Sequence, residues 1–492
     1  MKVALRVDAS AETGLGHVMR CRNLAAELRD RGAEVVFLAP DGSASAKSLL
    51  QGDGYRVASL PPAIGEADDA QQSLRALESG ADAIVLDHYG LGEIWERAVR
   101  TGVGQVLALE DIATRRHDVD VLVDQNYSLS FAEKYKGLIP ATARTYFGPR
   151  YALLSRDYRH GAPVEKPRRD GAKRVLISFG GTDAGDVTGQ VFAALSGDAF
   201  TDIEYDVVIG NSYPHRTALA AAVARRTGSR LHVQLPTLAP LLGSVDLAIG
   251  AAGVSAWERF SLGVPTILIS LADNQFPASR DLDTSGIAVH LGRAKTLDPA
   301  ALRDAVRHLR DDDTLRARMA LQGQLLVDGF GARRIAEVLH PTPGESLRLR
   351  KATMDDIGYV FDLSNMPDVR AQSLSSREIT WPEHKAWFAA KLSDAAAQVW
   401  VLDAGGLRVG QIRIDRRGAD AYVSYSLDPI VRGRGWGLRL MELGLATIPP
   451  GSVGSVIGEV KPENQASRTI FERLGFTSRL ADEGDRIVFV KS

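Results

Sequence analysis

The sequence predicts an α/β protein of two doubly wound, Rossmann-like domains followed by a smaller α+β domain. Three observations predict it. Apolar runs alternate with amphipathic helices through the first 340 residues, the alternation restarts near residue 174, and beyond a proline- and glycine-containing break the strands follow one another in close order. The boundaries read as 1–160, 161–340, a linker at 341–346, and 347–492.

In the first block Lys2–Val7 reads as a strand. His17–Arg31 reads as a helix, with Val18, Cys21, Leu24 and Leu28 on one face and Gly32 at its end. Val35–Ala39, Ala83–Asp87, Gln105–Leu109 and Val121–Val123 are short apolar runs of the kind buried in parallel sheets. The second block repeats the pattern at Arg174–Phe179, Tyr205–Gly210, Leu231–Gln234, Leu247–Gly250 and Thr266–Ser270. Two such blocks bind ligands beyond the carboxyl ends of their strands, in the cleft between them. His340-Pro341-Thr342-Pro343-Gly344-Glu345 is the linker. After it come a strand at Leu347–Lys351, two helices, strands at Val399–Asp403, Leu407–Asp415 and Ala421–Leu427, a glycine-rich turn, a helix, a strand at Val456–Val460 and a last helix.

Lysine and arginine total 59 against 61 acidic residues, so no charge excess points to nucleic acid or a membrane surface. A single cysteine, Cys21, rules out an intrachain disulfide. The start, Met1 to Asp8, reads as a strand rather than a secretory signal, and no apolar run approaches the ~18 residues of a membrane span. The expected location is the cytoplasm, with no membrane partner.

Three turns carry candidate chemistry. Thr13-Gly14-Leu15-Gly16-His17 follows the first strand and opens a helix, whose free N–H groups favour an anion. His17 there reads either as a base that takes a proton from water near neutral pH or as an ordinary first-turn residue. Phe179-Gly180-Gly181-Thr182-Asp183 lets a diphosphate approach backbone amides. Gly250-Ala251-Ala252-Gly253-Val254-Ser255 opens a helix that carries Glu258 one turn on, which is either an acceptor for two ribose hydroxyls or a solvated helix residue paired with Arg259. In the last domain, Arg432-Gly433-Arg434-Gly435-Trp436-Gly437 follows a strand and opens a helix, a pattern whose amides wrap a pyrophosphate.

The segments Arg6-Val7-Asp8-Ala9-Ser10, Gly14 to Arg20, Leu86-Asp87-His88-Tyr89-Gly90 and Gly180-Gly181-Thr182-Asp183 closely resemble the UDP-2,4-diacetamido-2,4,6-trideoxy-β-L-altropyranose hydrolases of pseudaminic acid biosynthesis, over roughly residues 1–340. The resemblance implies the two-domain GT-B fold of the MurG-like glycosyltransferases and cleavage of the anomeric C–O bond by water, with release of UDP and no metal. It implies that His17 activates or positions water, with Asp8, Gly16, Asp87 and Tyr89 along the sugar side. Gly180, Gly181, Gly253, Ser255 and Glu258 would hold UDP, with Asn274 and Gln275 nearby.

From Leu347 onward, Arg432 to Gly437, Val460 to Ser467 and Leu474-Gly475-Phe476 resemble the GNAT acetyltransferases. That resemblance implies acetyl-CoA as cosubstrate, its pyrophosphate on Arg432, Gly433, Gly435 and Gly437 and its pantetheine arm beside Asn464 and Ser467. Where many members carry a tyrosine acid, this chain has Phe471, so Tyr422, Tyr425 and Glu459 become candidates for acid, base or water-relay roles. The segments Asn365–Arg370 and Ile379–Phe388 resemble acetyltransferases acting on the 4-amino group of UDP-4-amino-4,6-dideoxy-N-acetyl-β-L-altrosamine, with Arg370, His384 and Trp387 toward the nucleotide-sugar. The alternatives are a GT-B glycosyltransferase fused to an acyltransferase of another amino-sugar, and a non-catalytic sensor of the same ligands.

Overall fold

Continuous apolar strands need cover on both faces, and the first two sheets supply it by being wholly parallel with helices between their strands. The structure is a computed structural model that describes residues 1–8, 16–163, 171–481 and 486–492; Gly14 and the rest of the turn before Gly16 lie outside the described residues. Met1–His340 and Pro341–Ser492 form separate compact units.

The first sheet contains β1 (Lys2–Val7), β2 (Glu34–Pro40), β3 (Arg56–Leu60), β4 (Ala81–Asp87), β5 (Val103–Leu109), β6 (Val121–Asp124) and β7 (Arg144–Phe147). Their order is β3-β2-β1-β4-β5-β6-β7. Strand order therefore reverses between β1 and β4, which pair in parallel from Val3 opposite Ala83 to Val7 opposite Asp87. The second sheet contains β8 (Arg174–Ser178), β9 (Glu204–Ile209), β10 (Arg230–Val233), β11 (Leu247–Ala251), β12 (Thr266–Ser270) and β13 (Val289–Arg293), in the order β10-β9-β8-β11-β12-β13. Its reversal falls between β8 and β11. Both reversals open a crevice at the strands' carboxyl ends, where doubly wound sheets take their ligands.

The helix Gly16–Asp30 lays Val18, Cys21, Leu24 and Leu28 into the core at zero exposure, as its apolar spacing predicts. It ends at Gly32, whose φ of +81° is a left-handed value that glycine adopts without strain. Gly210 is held by contact: a Cβ there would lie 2.2 Å from the Gly181 carbonyl oxygen. Gly210→Ala is therefore expected to displace the Gly180-Gly181 turn and cost about 1–3 kcal/mol. A lower thermal midpoint accompanied by weaker UDP binding in a calorimetric titration checks this.

The third sheet contains β14 (Leu347–Lys351), β15 (Ala397–Ala404), β16 (Leu407–Arg417), β17 (Asp420–Leu427), β18 (Val456–Val460), β19 (Thr477–Leu480) and β20 (Ile487–Lys491), in the order β14-β15-β16-β17-β18-β20-β19. Between β14 and β15 stand three helices, Ile357–Asn365, Pro367–Gln372 and Trp381–Ser393, where the sequence predicts two. Pro367 starts the second of them at a position where its missing N–H costs nothing. The parallel pairing of β17 with β18 stops at Val423 opposite Gly458, although β17 continues to Leu427. Past that point the two strands part.

Candidate functional site

His17 sits in the first turn of its helix, 6% exposed, and its Nδ1 lies 2.5 Å from Asp87 Oδ1 at the end of β4. Arg20 Nε and Nη2 donate to the two Asp87 oxygens at 2.6 and 2.5 Å, and the Cys21 thiol donates at 3.3 Å. Burial works against a charge on Asp87, yet Arg20 and His17 outweigh it and hold the carboxyl well below the usual carboxylate range. An ionised Asp87 can only accept, so the imidazole proton belongs on Nδ1 and the lone pair on Nε2. The sequence reading placed Asp87 along the sugar wall. The structure corrects this: Asp87 is wholly buried beneath His17 and orients the imidazole instead.

The arrangement extends outward through Asp111, which follows β5. Arg20 Nη1 donates to Asp111 Oδ2 at 2.8 Å, and the Tyr89 hydroxyl donates to the same oxygen at 3.2 Å. Tyr89 also meets the His17 ring edge-on, with centroids 4.6 Å apart. Asn274, after β12, donates to the Tyr89 hydroxyl at 3.3 Å, so a residue of the second sheet's loops touches the His17 cluster. Asp8 closes the base of the site, its amide donating to the Asp87 carbonyl at 2.8 Å. Gly16 opens the helix with no neighbour around its missing Cβ. Arg20 and Asp111 had no assigned role in the sequence; only the motif's arginine hinted at the first.

At the second reversal two helix N-termini face different fates. The helix Val187–Ala194 is closed by its own acids: Asp183 accepts from the Val187 and Thr188 amides at 3.0 and 2.7 Å, and Asp186 accepts from Gly189 at 3.1 Å. Its dipole is already satisfied, so that helix end is not open to a phosphate. The helix Val254–Ser261 starts at Gly253 with no side-chain cap. Its first amides are free to meet an anion. Gly180 keeps a φ of +91°, and no atom crowds the missing Cβ of Gly180 or Gly181. Gln275 Nε2 would lie 3.8 Å from a Cβ on Gly253, which brings those two predicted positions together. Ser255 Oγ accepts from Arg259 at 3.3 Å. Burial pushes the Glu258 carboxyl up to about 7, against the opposing pull of Arg259.

In the C-terminal unit a cavity of about 1240 Å³ is lined by Arg432, Gly433, Gly435, Gly437, Asn464, Ser467, Tyr425, Arg370 and His384, so the predicted positions share one space. Gly433 and Gly435 have φ values of +77° and +76°, with nothing near the missing Cβ atoms. The helix Trp436–Leu445 begins without a side-chain cap. Gly437 is also packed closely: a Cβ there would lie 2.8 Å from Ile470, while the residue still lines the cavity. Arg432 is folded back, its Nη2 donating to the Leu427 carbonyl at 3.0 Å and its Nη1 to Asp368. Arg370 spends its donors on the Ser364, Ser375 and Arg377 carbonyls and the Ser373 hydroxyl. It organises the loop beside the cavity and does not present a free guanidinium to a ligand, a correction to the sequence reading.

Tyr425 donates to Ser467 Oγ at 2.9 Å, and burial raises its phenol above the ordinary value against that bond. Asn464 Oδ1 caps the next helix by accepting from the Ser467 amide at 3.1 Å. Phe471 is buried at 2% exposure, with its ring stacked 4.9 Å from Phe489. Burial holds His384 down to about 4, and its Nε2 faces the Ile357 carbonyl at 3.1 Å. It is a neutral imidazole in an aromatic wall of Phe361, Trp381, Trp387 and Phe388. Glu459 lines the cavity and lies 3.7 Å from Arg486; Tyr422 carries Arg417 over its ring at 4.3 Å. Among the described residues no group of three His, Cys, Asp or Glu could hold a metal, and no helix is long and apolar enough to cross a membrane.

A family model of the acetyltransferase (GNAT) domain matches residues 346–477. The spore coat polysaccharide biosynthesis protein SpsG of Bacillus subtilis (strain 168) is 24% identical over 345 residues, covering 69% of this chain and 98% of SpsG. The UDP-2,4-diacetamido-2,4,6-trideoxy-β-L-altropyranose hydrolase of Campylobacter jejuni is 24% identical over 294 residues, covering 59% of this chain and 98% of that protein. Among solved structures, MurG of Acinetobacter baumannii matches with a TM-score of 0.51 at 16% identity, over 69% of this chain and 99% of MurG. The chain therefore joins an N-terminal region that resembles the altropyranose hydrolase and SpsG, in a MurG-like GT-B fold, to a C-terminal GNAT domain.

Proposed function

We propose that this is a bifunctional enzyme of pseudaminic acid biosynthesis. The C-terminal unit acetylates the 4-amino group of UDP-4-amino-4,6-dideoxy-N-acetyl-β-L-altrosamine, and the N-terminal unit hydrolyses the resulting UDP-diacetamido sugar to free sugar and UDP. The observation that carries the reading is the His17–Asp87 pair at the β1/β4 reversal, which engages Nδ1 and leaves the Nε2 lone pair for water. The hydrolase named above supports the substrate class.

In this reading water gives a proton to His17 Nε2 as its oxygen bonds to the anomeric carbon. The C–O bond to the diphosphate breaks, and its electron pair leaves with UDP. The uncapped amides at Gly253 to Ser255 stabilise that developing charge. Asp87 stabilises the imidazolium, and Arg20 keeps Asp87 ionised. In this reading Tyr89 and Asn274 hold the sugar, and Glu258 accepts the ribose hydroxyls.

The parted strands β17 and β18, the two positive-φ glycines and the uncapped helix at Trp436 fit acetyl-CoA. Acetyl-CoA supplies the activated acetyl thioester. In this reading the backbone along Ser424–Ser426, paired to β16 on one side and past the end of its pairing with β18 on the other, faces the pantetheine arm, and amides near Gly433 and Gly435 meet the pyrophosphate. The sugar's amino nitrogen bonds to the acetyl carbon as the C–S bond breaks; Tyr425, protonated because its phenol is raised, gives its proton to the departing sulfur, and the proton that nitrogen loses passes to solvent, from which Tyr425 is reprotonated through Ser467.

The test incubates the protein with UDP-4-amino-4,6-dideoxy-N-acetyl-β-L-altrosamine, with and without acetyl-CoA, and follows products by mass spectrometry. UDP and free 2,4-diacetamido-2,4,6-trideoxy-L-altrose are expected only when acetyl-CoA is present. An untouched amino-sugar alongside cleavage of the UDP-diacetamido sugar would overturn the acceptor assignment alone. If neither nucleotide-sugar reacts, the pathway reading falls and transfer to an acceptor by a glycosyltransferase takes its place.

A further inference from the structure

The loop that carries Asp111 is built around a histidine whose side chain is fully buried. His117 lies between β5 and β6 and is polar at both ends of its ring. Nδ1 lies 2.7 Å from Glu96 Oε1, on the helix Glu93–Val99, and Nε2 lies 2.9 Å from Glu110 Oε2, just past β5. Glu110 Oε1 accepts from the Asp111, Ile112 and Ala113 amides at 2.9, 2.7 and 3.1 Å, and Arg115 Nη2 lies 2.8 Å from Oε2. A carboxylate so surrounded by donors is ionised. Glu96 Oε2 accepts from the Asp118 amide at 2.6 Å. With an acceptor at each end of the ring, the imidazole carries a proton on both nitrogens. Burial works against that cation, yet the two carboxylates outweigh it and bring His117 up to about 9. Burial would raise Glu110, but His117, Arg115 and the amides bring it down to about 2.

This cluster reaches the His17 site along two routes. The three amides that Glu110 holds fix the backbone of Asp111, whose carboxylate accepts from Arg20 at 2.8 Å, from Tyr89 at 3.2 Å and from Asn126 Nδ2 at 3.1 Å. That turn needs holding, because Ala113 has a φ of +57°, in the left-handed region that a Cβ disfavours. Along the second route Arg115 donates to the His88 and Leu91 carbonyls at 2.7 and 2.8 Å, on either side of Tyr89 in the chain. The Glu93 amide donates to the Arg116 carbonyl at 3.1 Å. The loops after β4 and β5, which bring Tyr89 and Asp111 to the reversal, are thus pinned to one another around one buried imidazolium.

We propose that His117 is a positioning residue of the hydrolytic site: as an imidazolium it bridges Glu96 and Glu110, and so fixes Asp111 and Tyr89 beside His17. This role rests on the hydrolytic reading of His17 given above. His117 touches no substrate and moves no proton in the reaction. Glu96 faces it from the helix and Glu110 from the end of β5. Arg115 reaches it only through Glu110, the Tyr135 hydroxyl is given to Asp124 at 2.9 Å, and the Asp118 carboxylate lies 3.6 and 3.4 Å from Arg97 and Arg100. When the ring loses a proton, one lone pair faces a carboxylate oxygen and the bridge opens. The stability that the bridge contributes is full below the ordinary histidine value of about 6.5 and is lost as pH rises through about 9. Turnover falls with it. Burial holds the Cys21 thiol and the Tyr89 phenol above their ordinary values, so neither gives the site a limb of its own near that pH.

The experiment follows UDP release from the UDP-diacetamido sugar by the full chain, from about pH 6.5 to 10, and reads kcat/KM. UDP titrations over the same range supply the reference, since they carry the uracil ring's own titration. Wild type is expected to show a fall in kcat/KM with its midpoint near pH 9, beyond any change in UDP affinity. His117→Gln should lower the plateau about tenfold, abolish that fall, and leave UDP affinity and acetyl transfer within about twofold of wild type. Glu96→Gln combined with His117→Gln removes opposite buried charges together, and so gives a folded chain for the same profile if the single variant is too unstable; the fall should be absent there too. A wild-type profile flat to pH 10, or a fall that persists in either variant, would overturn the role of His117 and leave the hydrolytic reading standing. So would parallel losses of UDP affinity and turnover, which mark a purely structural residue. Absence of UDP release by wild type at every pH would overturn both.

Discussion

His17→Gln is expected to abolish measurable UDP release while leaving UDP binding intact. Loss of a general base costs about 10²–10⁴ in rate, whereas binding draws on the amides and acceptors of the second sheet. Asp87→Asn should approach the same loss by another route. Asparagine presents an N–H to Nδ1 as readily as a carbonyl, which favours the tautomer that places the lone pair away from water. It also removes the charge that balances Arg20, so a cost in stability of about 3–5 kcal/mol accompanies it. Initial rates of UDP release, with UDP titrations and thermal melts of each variant, separate the chemical loss from the structural one. If His17→Gln kept more than a tenth of wild-type turnover, water activation would have to be assigned elsewhere.

Tyr425→Phe is the second large effect. The thiolate departs with no other phenol available at the usual place, since Phe471 lies in the core against Phe489. Acetyl transfer should fall about 10²-fold in kcat, while KM for acetyl-CoA stays near its wild-type value, because the backbone and the glycine turn still hold the cosubstrate. Thiol release monitored with a chromogenic disulfide measures both constants. Ser467→Ala should cost less, since Tyr425 keeps its own proton. A drop in acetyl-CoA affinity without a drop in kcat would reassign Tyr425 to binding.

Much of the fold is legible in the sequence where strands are buried on both faces. Leu247–Ala251 and Thr266–Ser270 are continuous apolar runs because helices cover both sides of them. Edge strands carry no such signature. Arg56–Leu60 and Thr477–Leu480 are held by pairing to a neighbour, and every residue of the latter is exposed, so neither hydrophobicity nor period marks them. The sites divide in the same way. His17, Gly433 and Gly435 stand out because a turn constrains local sequence. Asp111 does not, because its partner Arg20 lies 91 residues away and the two are brought together only by strand order. The acids at Asp183 and Asp186 illustrate a further limit. A glycine-rich turn announces a helix start, but whether that start is open depends on side chains that can fold back and close it.

The chain divides at His340 and Pro341, and among the described residues no strand pairing crosses that division. The N-terminal unit keeps two sheets and the C-terminal unit one, and the two proposed activities are carried in fixed one-to-one stoichiometry. The ratio of sugar release to acetyl transfer in one sample is then independent of protein concentration and of losses in purification. A substitution confined to one unit, such as His17→Gln or Tyr425→Phe, leaves the other rate as a yardstick inside the same polypeptide.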